Sequence, residues 1–123
     1  MTRWADKIPK EADEQEKLAN YLDMKGLIWC HVPNGGNRNA ITGAKLKRQG
    51  TKRGVPDVLI FEPPAKRPHI DKAGVAIELK RQKGGRLSKY QKEWLEKLKK
   101  CNWITRKCDG ADQAIDLIEN LYR

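Results

Sequence analysis

The chain reads as an α/β domain, a mixed four-stranded sheet flanked by helices in the order α-β-β-β-α-β-α. Apolar residues recur at helical spacing in separate stretches, short runs rich in strand formers lie between them, and Gly- and Pro-rich breaks divide the two kinds. At 123 residues and 14.1 kDa the chain has room for a single domain over residues 1–123, large enough to bury one core.

Ala12, Gln15, Leu18, Ala19 and Leu22 follow Pro9 at three- and four-residue spacing, which predicts an amphipathic helix over 10–25 with Gly26 as its left-handed stop. Leu27 to Val32 is short, apolar and closed by Pro33, so it is expected to be the first strand. Residues 34–54 turn to Gly, Asn and Lys/Arg, a basic excursion in which Ala40 to Gln49 can form a short helix ended by Gly50. Asp57 to Glu62 and Gly74 to Lys80 are the next strands, and the polar, Pro-rich stretch Pro63 to Ala73 suits an antiparallel connection between them. Gly84-Gly85 then breaks the chain. Ser88 and Gln91 have capping-box spacing for a helix to about Lys100. Asn102 to Arg106 is expected as the fourth strand, reached by a crossover that makes it parallel to the third. Asp109 is the expected cap of a last helix carrying Ala114, Ile115, Leu117, Ile118 and Leu121, whose apolar residues are also a candidate interface.

The 26 Lys+Arg against 16 Asp+Glu leave a net charge of +10, which favours a polyanionic partner. No stretch approaches the roughly 18 apolar residues needed to cross a bilayer, and residues 1–6 lack the apolar run of a secretory signal, so an intracellular protein without membrane contact is expected. Cys30, Cys101 and Cys108 are odd in number and widely spaced, which predicts reduced, mostly buried thiols and excludes a zinc ribbon.

Glu78-Leu79-Lys80 ends an apolar strand, and the two-residue period places Glu78 and Lys80 on one face. Asp57 begins the neighbouring strand, so antiparallel pairing brings its carboxylate beside Glu78. Two adjacent carboxylates on an apolar sheet call for a cation. Asp57, Glu78 and the Leu79 carbonyl oxygen are the expected ligands of a hard divalent ion with positions left for water and a phosphate oxygen. Lys80 would orient or help deprotonate that water, or neutralise charge in the transition state. About one E-x-K is expected by chance in so charged a chain, and Asp23-Met24-Lys25 is a similar triplet without an apolar strand beneath it. The surrounding strands separate the two.

Lys45, Lys47, Arg48, Lys52 and Arg53 precede Asp57, and Arg81, Lys83, Arg86 and Lys89 follow Lys80, so positive charge brackets the site. Such residues are expected to hold a nucleic-acid backbone, reading shape over sequence. Asn34-Gly35-Gly36-Asn37-Arg38 is either a further backbone contact or a plain loop. His31 and His69 lack partners at metal-ligand spacing and are expected to be core or surface residues. Trp4, Trp29, Trp94 and Trp103 fall mostly in core-like strands or helices and are not read as base-stacking residues. Gln91 can reach the site, although the capping box explains it without chemistry.

Gly54-Val55-Pro56-Asp57, Glu78-Leu79-Lys80, Gly85-Arg86-Leu87-Ser88 and Gln91 resemble the PD-(D/E)xK nuclease superfamily, in particular stand-alone, phage-type VRR-NUC domains. The resemblance spans nearly the whole chain. It implies a restriction-endonuclease-like core, Mg2+ or Mn2+ with no organic cofactor, and hydrolysis of DNA phosphodiesters. It also implies a homodimer acting on branched DNA such as Holliday junctions, in the host cytoplasm if phage-encoded. Related nucleases bring an acidic residue from the first helix to the metal. Here the matching position is Gln15, an amide that can accept a hydrogen bond but cannot act as a base, with Glu11 as an accessory candidate and Glu14 read as solvated helix surface. The competing expectations are a DNA-binding accessory module that cuts nothing and a restriction-like endonuclease on linear duplex.

Overall fold

A computed structural model describes residues 8–33 and 40–122. The loop reading at Asn34 to Arg38 and the placement of Trp4 lie outside them. The elements are α1 (Glu11–Lys25), β1 (Trp29–His31), α2 (Ala40–Arg48), β2 (Val58–Ile60), β3 (Val75–Lys80), α3 (Lys89–Lys100), β4 (Ile104–Asp109) and α4 (Ala111–Leu121). The strands form one sheet in the order β1-β2-β3-β4, with β1-β2 and β2-β3 antiparallel and β3-β4 parallel, the mixed four-stranded α/β arrangement expected.

Gly26 closes α1 at φ +70°, where a side chain would be strained, and its N–H returns to Asp23 and Leu22 carbonyls. Leu27 N–H is also drawn back to Leu22 O, so β1 starts later than the apolar run that contains it. Central β3 is buried from Val75 through Leu79 because layers cover both its faces. Val75, Ile77 and Leu79 join Leu18 and Leu22 of α1, Val58 and Ile60 of β2, and Ala111, Ala114, Ile118 and Leu121 of α4 in the main core. By alternation Glu78 faces the other side, where α3 lies.

Four expectations are corrected. β4 runs over Ile104–Asp109, later than Asn102 to Arg106, because Asn102 adopts φ +70° in the turn leaving α3 and Trp103 N–H still bonds Leu98 O. Asp109 ends β4 and does not cap α4. The N-cap is Gly110, which has no side chain to offer. The apolar residues of α4 are spent on the core: Ala114, Ile118 and Leu121 are buried, and Ile115 and Leu117 pack against them, so no free apolar stripe remains there. Finally, the three cysteines are free, but Cys30 and Cys101 are exposed and only Cys108 is buried.

Candidate active site

The antiparallel register Val58↔Ile77 places Asp57, one residue before β2, opposite Glu78. Asp57 Oδ2 accepts the Leu79 N–H at 2.8 Å, which fixes that carboxylate at the end of β3. Glu78 is 2% exposed. Its Oε1 accepts a hydrogen bond from Gln91 Nε2 at 2.8 Å and has Lys80 Nζ at 3.7 Å, whereas its Oε2 is buried without a partner. Burial pushes the Glu78 carboxyl up to about 8, and the negative charge of the neighbouring Asp57 carboxylate adds to the rise. Lys80 opposes this shift and Glu11 reinforces it.

An orphaned buried carboxylate oxygen beside a second carboxylate is a costly arrangement that a cation relieves. No cluster of three or more His, Cys, Asp or Glu side chains able to hold a metal occurs among the described residues. Two carboxylates with open positions suit a hard, water-retaining ion and disfavour a fully enclosed structural zinc site. The residues present fit a hard divalent ion.

Lys80 has a side chain only 12% exposed. Gly85 passes so close that a Cβ there would lie 2.6 Å from Lys80 Cβ, so the chain after β3 folds over the lysine stem only because residue 85 is glycine. Gly54 has a similar constraint: a Cβ would meet the Tyr90 carbonyl carbon at 2.5 Å and Gln91 N at 2.7 Å. The turn leading to Asp57 therefore rests directly on the first turn of α3.

Sequence reasoning divided the α1 candidates differently. Glu11 is exposed, with its charge felt at Glu78. Gln15 is half-buried and its Nε2 has no hydrogen-bond partner among the described residues. Glu14, read as solvated surface, is 3% exposed, and its Oε2 accepts the Ala111 N–H at 3.1 Å, supplying the cap that Gly110 cannot. Glu14, Leu18 and Leu22 recur every four residues, and that stripe was the missed signal. Gln91 performs both roles weighed for it, closing the capping box with Ser88 and touching Glu78.

His31 is a surface residue, one of the two placements expected for it. Its ring is exposed at the end of β1, with Nδ1 2.7 Å from the Asp57 carbonyl oxygen. His69 is exposed on the connection to β3. Arg81 reaches back to the carbonyls of Ile8 and Pro9, so its guanidinium anchors the segment entering α1. Lys45, Lys47, Arg48, Lys52, Arg53, Lys83, Arg86 and Lys89 are exposed, and Arg53 lies over the Tyr90 ring at 5.4 Å.

A mixed sheet that places an aspartate and an E-x-K triplet on neighbouring strand ends is the architecture of the PD-(D/E)xK nuclease superfamily. Within it, residues 9–112 match the VRR-NUC domain, and the chain belongs to that family. A solved structure described as a VRR_NUC domain protein is similar to 92% of this chain over 88% of its own length, with a TM-score of 0.76 and 24% identity, a likeness of fold. No curated protein matches the chain.

Proposed function

We propose that this chain is a divalent-metal-dependent DNA endonuclease that hydrolyses phosphodiester bonds in branched DNA such as Holliday junctions, acting as a homodimer. Membership of a nuclease family supports the reaction class. The observation that carries the metal dependence is the partnerless Oε2 of buried Glu78 beside Asp57.

Asp57 and Glu78, with the Leu79 carbonyl oxygen, would hold Mg2+ or Mn2+. When bound, such an ion polarises the scissile phosphate and acidifies a water. Lys80, held 3.7 Å from Glu78 Oε1, presents an ammonium that orients the incoming water and offsets negative charge growing on the phosphoryl oxygens. Water adds to phosphorus, the bridging oxygen departs with its electron pair and takes up a proton, and two DNA ends result. Glu11 and Gln15 border the site from α1. The exposed cations of α2, Lys52, Arg53, Lys83 and Arg86 grip the backbone on either side and leave base sequence unread.

No helix among the described residues is long and apolar enough to cross a membrane. The substrate of the proposed reaction would be met in the cell interior, the host cytoplasm for a phage-encoded enzyme. The test is cleavage of labelled four-way junction, flap and linear duplex by wild type with Mg2+ or Mn2+. Junction cutting that requires the metal is expected. Failure with both metals would leave a polyanion-binding module, and preference for linear duplex would replace the branched substrate.

A further inference from the structure

We infer that Gln91 is a positioning residue for divalent-ion binding: the capping box of α3 fixes its amide so that Nε2 donates to Glu78 Oε1, reserving Oε2 for the ion. This rests on the reading of Asp57 and Glu78 as the ion's holders, and it assigns the helix cap a part in assembling that site.

The amide is oriented by chemistry on both ends. Ser88 N–H donates to Gln91 Oε1 at 2.8 Å, and Gln91 N–H donates to Ser88 Oγ at 3.2 Å. With Oε1 committed to an N–H, the NH2 group must face the opposite way, toward Glu78 Oε1 at 2.8 Å. Flipping the amide would set NH2 against the Ser88 N–H and, with Glu78 ionised as a bound ion requires, oxygen against carboxylate, so both contacts would turn repulsive. Glutamate would close a capping box equally well but has no donor for Glu78. A glutamine at this position therefore does more than cap.

The turn carrying Gln91 is braced from the other side. Gly54 sits against the backbone of Tyr90 and Gln91, so the segment that leads to Asp57 and the turn that orients Glu78 share one contact. Because Glu78 has one oxygen engaged and the other buried without a partner, its carboxylate plane is set before any ion arrives. Outer hydrogen bonds of this kind typically govern metal affinity by about 10- to 100-fold.

The test compares Gln91→Met with Ser88→Ala in the full chain, reading Mn2+ affinity by calorimetry and electron paramagnetic resonance, and fold by thermal melting. Ser88→Ala removes the hydroxyl half of the cap but keeps the backbone N–H that orients Gln91. Both variants are expected to melt a few degrees lower. Mn2+ affinity should fall about tenfold or more in Gln91→Met and stay within about twofold of wild type in Ser88→Ala. Should Gln91→Met not fold, Gln91→Asn, whose amide is one methylene short of Glu78, carries the same comparison. Wild-type affinity in the Gln91 variant, or an equal loss in both, would overturn the inference while leaving the nuclease reading intact. A wild-type protein that takes up no Mn2+ overturns both.

Discussion

Lys80→Ala should separate holding DNA from cutting it. The side chain is largely covered and faces Glu78, so its loss removes little of the exposed cationic surface that meets the backbone. Junction affinity in gel shifts is expected to stay within about threefold, while the single-turnover cleavage rate falls by about 100-fold or more. Equal cutting by the variant would refute the role given to the ammonium. Glu78 makes a second prediction, this one about pH. In the metal-free protein its carboxyl keeps a proton to about pH 8, whereas the unfolded chain releases it near the ordinary 4.5. The folded state then binds more protons across that window, so stability falls as pH rises through it. Melting temperatures of metal-free protein should drop between pH 5 and 8, approximately the window set by these two values, and Glu78→Gln should flatten the slope. Mn2+ affinity should rise over the same range, because the ion needs the ionised form. Asp57, Glu78 and Lys80 were legible because a two-residue period and an apolar strand constrain where their side chains go. Glu14 was not, because a carboxylate on a helix is ordinarily solvated and its partner, the Ala111 N–H, lies 97 residues away.

Glu14 joins α1 to the start of α4, so the consequences of removing it belong to whole elements. Glu14→Ala leaves the Ala111 N–H buried and unpaired, a loss of about 1–3 kcal/mol that urea unfolding would measure, with Mn2+ binding by the folded protein near wild type. A large change in Mn2+ affinity would instead place Glu14 at the metal. The segment between β3 and α3 has a similar dependence on Gly85. Gly85→Ala forces Lys80 or the loop to move, and cleavage at saturating DNA should fall by about 100-fold, the usual effect of misplacing a reacting group by about 1 Å. Undiminished cleavage would show that the loop yields without disturbing the lysine. Element boundaries followed from sequence wherever one local signal dominated: the Ser88/Gln91 box opens α3, and Gly26 closes α1. The start and end of β4 did not. Lys107 and Asp109, paired at 2.8 Å, make the end of that strand look like loop, and the turn at Asn102 depends on packing after α3.

For the molecule as a whole, the net charge of +10 makes DNA binding a matter of ionic strength. If Lys45, Lys47, Arg48, Lys52, Arg53, Lys83 and Arg86 each neutralise one phosphate, a plot of log affinity against log salt should have a slope of about −6. A slope near zero would remove these residues from the interface. The antiparallel β2-β3 and parallel β3-β4 pairings were readable because a crossover helix and a short Pro-rich connection admit few topologies, whereas no local signal placed β1 at the edge beside β2. One long-range link also bears on how the protein is made. The carboxylate of residue 14 leaves the ribosome long before the amide of residue 111 exists. While synthesis continues, the first helix lacks both the last helix that buries its apolar stripe and the amide that satisfies its glutamate. The nascent polypeptide cannot complete this core until α4 has emerged, so nucleolytic competence is expected only once residues 111–121 have left the ribosome.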